Sequence, residues 1–92
     1  MDIAWVDILD EDKLERKHDV HAYEVEEVLL SNPRIYFVEK GNIEGEDVYL
    51  GLGRTEEGRY LAIFFIFKTN RVALVISARE MDAKERRRYA KK

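Results

Sequence analysis

Eight consecutive apolar or aromatic residues, Tyr60 to Phe67 (YLAIFFIF), constrain this chain more than any other feature. Successive side chains of a strand point to opposite faces, so an unbroken apolar run belongs to a central strand covered on both sides. Both covers must come from the same 92 residues. Tight connections bound the run. TEEG, residues 55–58, leads into it as a hairpin loop, and KTNR, residues 68–71, leads out into VALVISAR.

The rest of the chain supplies partners for that strand. DIAWVDIL alternates loosely and reads as a short first strand. DEDKLERKH has acids at its front and bases at its end, the order that suits a helix dipole. HAYEVEEVLLSNP places Ala22, Val25, Val28 and Leu29 at helical spacing, and Asn32-Pro33 stops it. RIYFVEK and EDVYLGLGR read as strands separated by the loop GNIEG. Gly51 and Gly53 share a face of the second of these, which predicts a bulge or a close backbone approach. Asp82 and Glu85 form a capping box for a last helix over 83–91, with Lys91 and Lys92 at its negative dipole end. The order is β-α-α-β-β-β-β-α. That predicts one α+β domain over residues 1–92, a small antiparallel sheet packed by two N-terminal helices and one C-terminal helix.

Net charge is −3, but its distribution is uneven. Residues 1–47 carry a balance of −9 and residues 48–92 a balance of +6. A fold that gathers the second half on one face gives an acidic protein a positive patch, which matters more to a polyanion than the overall charge. The absence of cysteine excludes disulfides and a thiol nucleophile. No apolar run approaches the roughly 18 residues of a membrane span, and MDIAWVD is no secretion signal, so a soluble cytoplasmic protein without a membrane partner is expected.

No cofactor or metal is expected either. GLGRTE lacks the third glycine and following helix of a dinucleotide fingerprint, and His18 and His21 with Asp19 between them have no third ligand set. Phe64, Phe65 and Phe67 are assigned to the core.

Chemistry concentrates near the end. Strand spacing puts Ser77 and Arg79 of ISAR on one side with Val75 behind them. Arg54 reaches a similar height if its strand is a neighbour. The last helix adds Glu85, Arg86, Arg87, Arg88 and Tyr89. Guanidinium forks for phosphate, a hydroxyl, a carboxylate and a stacking ring suit the binding or cleavage of RNA, whose 2′-hydroxyl can attack the adjacent phosphorus without a metal. The plainer reading makes Arg79 and Glu85 an ion pair that ties strand to helix.

With those residues in hand, the chain resembles the BrnT-type toxins, small ribonucleases of toxin–antitoxin operons. ISAR followed by Glu85-Arg86 and Tyr89 carries the most specific part of the likeness, with KHDV and GLGRTEEGRYL in support. The resemblance implies a fold similar to the RelE-type RNases and an activity that cuts RNA and inhibits translation. It also implies a partner antitoxin that binds DNA. Its site residues would fall on Lys17, His18, Arg54, Ser77, Arg79, Glu85 and Tyr89, with Arg54 and Arg79 on phosphate and Ser77 positioning. Lys17, His18 or Glu85 would move the proton.

Four positions depart from the family pattern. Asp19 replaces a glycine, Leu14 an asparagine, Leu74 an arginine and Glu80 a base. Asp19 adds a negative charge, and the other three remove positive charge or a polar handle. They motivate the alternative of a weakened or non-catalytic module that binds a protein or RNA.

Overall fold

The computed structural model describes residues 1–91. A short strand, β1 (Trp5–Ile8), leads into two helices, α1 (Glu11–His18) and α2 (Ala22–Leu30). Four strands follow: β2 (Arg34–Glu39), β3 (Val48–Arg54), β4 (Tyr60–Lys68) and β5 (Val72–Glu80). Helix α3 (Ala83–Ala90) closes the chain. The expected element order is therefore the observed one.

β2 to β5 form an antiparallel meander with the apolar run β4 inside it. β1 joins at the far edge, beside β5 and parallel to it, so the five-stranded sheet is mixed. The helix pair is responsible. It carries the chain across one sheet face from the β1 edge to the β2 edge, and β1 is left to pair with the last strand of the meander.

The two faces of β4 have different covers, as its composition requires. On one face Leu61, Ile63 and Phe65 pack with Leu14, Val20, Val25, Val28 and Leu29 from the two helices and their junction. On the other, Ala62 lies with Leu50, Leu52 and Met81, flanked by Tyr36, Tyr60, Phe64 and Tyr89. Phe65 is core, whereas Phe64 is half-buried on the α3 side. Close approach, rather than a bulge, accounts for the two strand glycines. A Cβ on Gly51 would meet Leu29 Cδ2 at 2.9 Å, and one on Gly53 would meet Val28 Cγ1 at 2.6 Å.

Helix ends follow local chemistry. The Asp10 carboxylate accepts from the Lys13 amide at 3.0 Å, and α1 ends at Asp19 in a left-handed conformation, φ 52° and ψ 42°. The capping box of α3 is reciprocal. Asp82 Oδ1 accepts from the Glu85 amide at 2.7 Å, and Glu85 Oε1 accepts from the Asp82 amide at 2.9 Å. Lys91 is the C-cap residue, and Lys92 lies outside the described residues.

Candidate functional site

A bulge in β5 decides which face the ISAR side chains occupy. Phe64 pairs with Ser77, but the next residue, Phe65, pairs with Val75, so Ile76 is left without a partner on β4. Ala73 and Val75 consequently point into the core under α1 and α2, while Ser77 and Arg79 point to the α3 side. The expected placement of Val75 behind Ser77 and Arg79 is thus corrected. An unbulged strand would have sent both polar side chains toward the helix-side core.

Arg79 then meets α3. Its Nη1 donates to Glu85 Oε1 at 2.7 Å and its Nη2 to Glu85 Oε2 at 2.9 Å, a two-pronged pair. Nη1 also donates to the Glu80 carbonyl at 3.1 Å, and the guanidinium lies 5.4 Å from the Phe64 ring centre. The pair is half-sheltered, with side-chain exposures of 34% for Arg79 and 13% for Glu85. Hydrogen bonding to Arg79 holds the Glu85 carboxyl below its ordinary pKa, against the opposing effect of burial. Glu85 in turn raises the proton affinity of Arg79. Nε and one Nη2 hydrogen remain to receive a phosphate oxygen.

Arg54 lies on the same face as Arg79, but β4 separates their strands. Two strand spacings put them about 10 Å apart laterally. The Arg54 guanidinium sits 5.4 Å from the Tyr60 ring centre. Arg86 of α3 covers the same ring at 4.1 Å, and Arg88 covers Tyr36 at 3.5 Å. Arg34 lies 5.7 Å from the centre of Tyr89 and donates to the Lys91 carbonyl. Tyr89, expected as a free stacking ring, is half-buried and packs edge-on against Tyr60 at 6.0 Å. Arg87 is exposed on the helix.

These stacks have a chemical consequence. A guanidinium as close over a ring as Arg86 and Arg88 uses its face, which leaves its in-plane N–H donors free for a further partner. Arg34, Arg54, Arg86 and Arg88 have no carboxylate partner among the described residues, whereas Arg59, Arg71 and Arg79 each do. The face around α3 therefore combines oriented donors with unneutralised charge.

Lys17 and His18 stand apart from this arrangement. They occupy the exposed last turn of α1, on the opposite side of the sheet, and neither joins an ion pair among the described residues. A clamp holds that corner. Arg59 Nη1 donates to the Asp19 carbonyl at 2.7 Å and to the buried Glu24 carboxylate at 2.8 and 3.0 Å. Arg59 Nε donates to Glu80 at 3.2 Å. The end of α1 is thus tied to the end of β5, yet Lys17 and His18 would have to reach around the strand end to meet Arg79. Of the three proton-moving candidates, only Glu85 touches it.

Two of the four departures, Leu14 and Glu80, acquire physical reasons. Leu14 is core, Glu80 completes the Arg59 clamp, and Asp19 occupies a left-handed position where glycine is the unstrained choice. Leu74 pairs with Ile66 on the part of the sheet face beyond the Ile76 bulge.

Sequence reasoning missed Arg34, Tyr36 and Tyr60 as parts of this face. The alternation of Arg34 with Tyr36 on β2 and of Tyr60 with Phe64 on β4 was a usable signal, but only once strand register was known. No group of three or more His, Asp or Glu side chains suited to hold a metal occurs among the described residues. No helix of the described residues is long and apolar enough to cross a membrane.

In class, this is a small α+β domain that gathers stacked, unneutralised arginines around one helix. The family model for the BrnT ribonuclease toxins of type II toxin–antitoxin systems matches residues 10–85, and the chain belongs to that family. Membership brings RNA as the substrate class and an antitoxin protein as partner. No curated protein matches the chain.

Proposed function

We propose that this toxin cuts RNA by metal-independent attack of a 2′-hydroxyl on the adjacent phosphorus, and thereby inhibits translation. The carrying observation is the Arg79–Glu85 pair at the foot of a helix that carries arginines without carboxylate partners among the described residues. An incoming phosphate competes with Glu85 for Arg79. The displaced carboxylate loses the partner that suppressed its proton affinity and accepts the 2′-hydroxyl proton. The 2′-oxygen bonds to phosphorus, the bond from phosphorus to the 5′-oxygen breaks, and that oxygen takes a proton from solvent. A 2′,3′-cyclic phosphate and a 5′-hydroxyl remain.

In this reading Arg54 and Arg79 stabilise the charge of the phosphorane, and Ser77 positions the strand. Arg86, Arg87 and Arg88 hold flanking phosphates. Tyr89 buttresses the helix. Lys17 and His18, on the far side of the sheet, act only if RNA wraps around the end of β5. The same reading includes a RelE-like fold, a cytoplasmic place of action and an antitoxin that binds DNA. Cleavage of RNA by the purified protein, with cyclic phosphate ends identified by mass spectrometry, tests the chemistry. Hydrolytic ends bearing 3′-hydroxyls would contradict it.

One observation favours a second reading. Glu85 occupies two of the best donors of Arg79, so a chain unable to release that carboxylate would bind RNA or a protein partner without cutting. Binding of RNA with no cleavage over long incubation would select it.

A further inference from the structure

Arg86 and Arg88 are two residues apart, hence about 200° apart around α3. They descend on opposite flanks of the helix, Arg86 onto Tyr60 and Arg88 onto Tyr36. Between them, Glu85 and Tyr89 face the sheet. The two rings lie on the same sheet face, on β4 and β2, with Tyr36 aligned through Leu50 to Phe64. Two strand spacings and four residues of rise put them about 16 Å apart. Stacked nucleotides advance about 3.4 Å along a strand, so that gap spans several phosphates.

The two flanks differ in charge. The Tyr60 side is a cleft of about 230 Å³ that includes Glu80 and the paired Arg59. The Tyr36 side is a groove of about 400 Å³ lined by Lys84, Arg87, Arg88 and Lys91. Those four positions follow helical spacing along one side of α3, and no ion pair neutralises them among the described residues.

We infer that the groove along the Arg88 flank of α3 is a second phosphate-binding subsite, which holds single-stranded RNA several nucleotides away from the Arg79 centre. The inference rests on the proposed action on RNA. Tyr36 is its positioning residue. The ring holds the Arg88 guanidinium flat, so that the N–H fork is aimed before the phosphate arrives. A trinucleotide seated at the Arg79 centre leaves this subsite empty, whereas a decanucleotide crosses α3 and engages both.

The test measures binding of 2′-fluoro oligoribonucleotides, three and ten nucleotides long, which cannot supply the attacking hydroxyl. Tyr36→Leu is expected to weaken the decanucleotide about fivefold and leave the trinucleotide unchanged, while Tyr36→Phe retains wild-type affinity for both. Arg88→Lys, which keeps charge but loses the planar stack, repeats the Tyr36→Leu result if the leucine variant fails to fold. Unchanged binding of the decanucleotide by folded Tyr36→Leu or by Arg88→Lys overturns the subsite. Equal loss for both lengths also overturns it, because Tyr36 would then serve the whole surface. Failure of both oligomers to bind the wild-type protein overturns the RNA reading itself.

Discussion

Arg79 and Glu85, one on a strand and one on a helix, share two parallel hydrogen bonds of 2.7 and 2.9 Å, and the same carboxylate caps the helix that carries it. One side chain therefore ties α3 to the sheet, closes the first turn of that helix and occupies the arginine that the proposed reaction needs for phosphate. Stability and chemistry are coupled at this point.

The Glu85 carboxyl has a depressed pKa in the folded chain, chiefly through its hydrogen bonding to Arg79. Depression means that its stabilising contribution is fully present above the unfolded value, near pH 4.5, and is lost as pH falls through the folded value. Glu85→Gln removes that proton linkage. Denaturant titrations between pH 3 and pH 7 are expected to show the variant losing less stability on acidification than wild type. A wild-type and variant difference independent of pH would remove the charge from the account.

Arg59→Ala should destabilise the fold by about 3 kcal/mol, because it strands the Glu24 carboxylate, only 6% exposed, without its cation. For a domain of this size each kcal/mol lowers the melting temperature by about 4–8 °C, so calorimetry will see it. Glu80→Ala, at the 67% exposed end of the same network, should cost less than about 1 kcal/mol. A larger cost for Glu80 than for Arg59 would invert the argument.

Asp19→Gly is expected to stabilise the protein by about 0.5–1 kcal/mol, since the position is left-handed and glycine adopts it without a Cβ penalty. Cleavage should be unchanged, because Asp19 lies at the end of α1, away from Arg79. A higher rate in the glycine variant would show that the aspartate charge restrains the chemistry.

Neutralising Arg86, Arg87 and Arg88 together to glutamine should reduce the dependence of RNA affinity on salt. Each phosphate contact on a single strand contributes about 0.7 to the slope of log affinity against log salt, so the slope should fall by about 2. A slope that stays constant would make α3 a solvated face.

Much of this is legible in the sequence. The apolar run of β4, the dipole-ordered charges of α1 and the Asp82–Glu85 box each carry a local physical signature, and all three appear in place. Two features escaped because they are non-local. Nothing in VALVISAR announces that Ile76 is skipped in the ladder, since the bulge is settled by whether Val75 or Ser77 is buried against the helices. The parallel position of β1 depends on where the helix pair returns the chain. The site shows the same division. Arg79 and Glu85 could be paired from their spacing alone, whereas the stacks of Arg88 on Tyr36 and Arg86 on Tyr60 join residues more than twenty positions apart.

The most direct measurement is RNA cleavage by purified wild-type protein in EDTA beside Arg79→Ala, with melting curves for both. The account predicts cleavage that survives chelation and falls by about 100-fold or more in a folded Arg79→Ala protein. Cleavage by the folded variant at the wild-type rate, or wild-type activity abolished by EDTA, would contradict it.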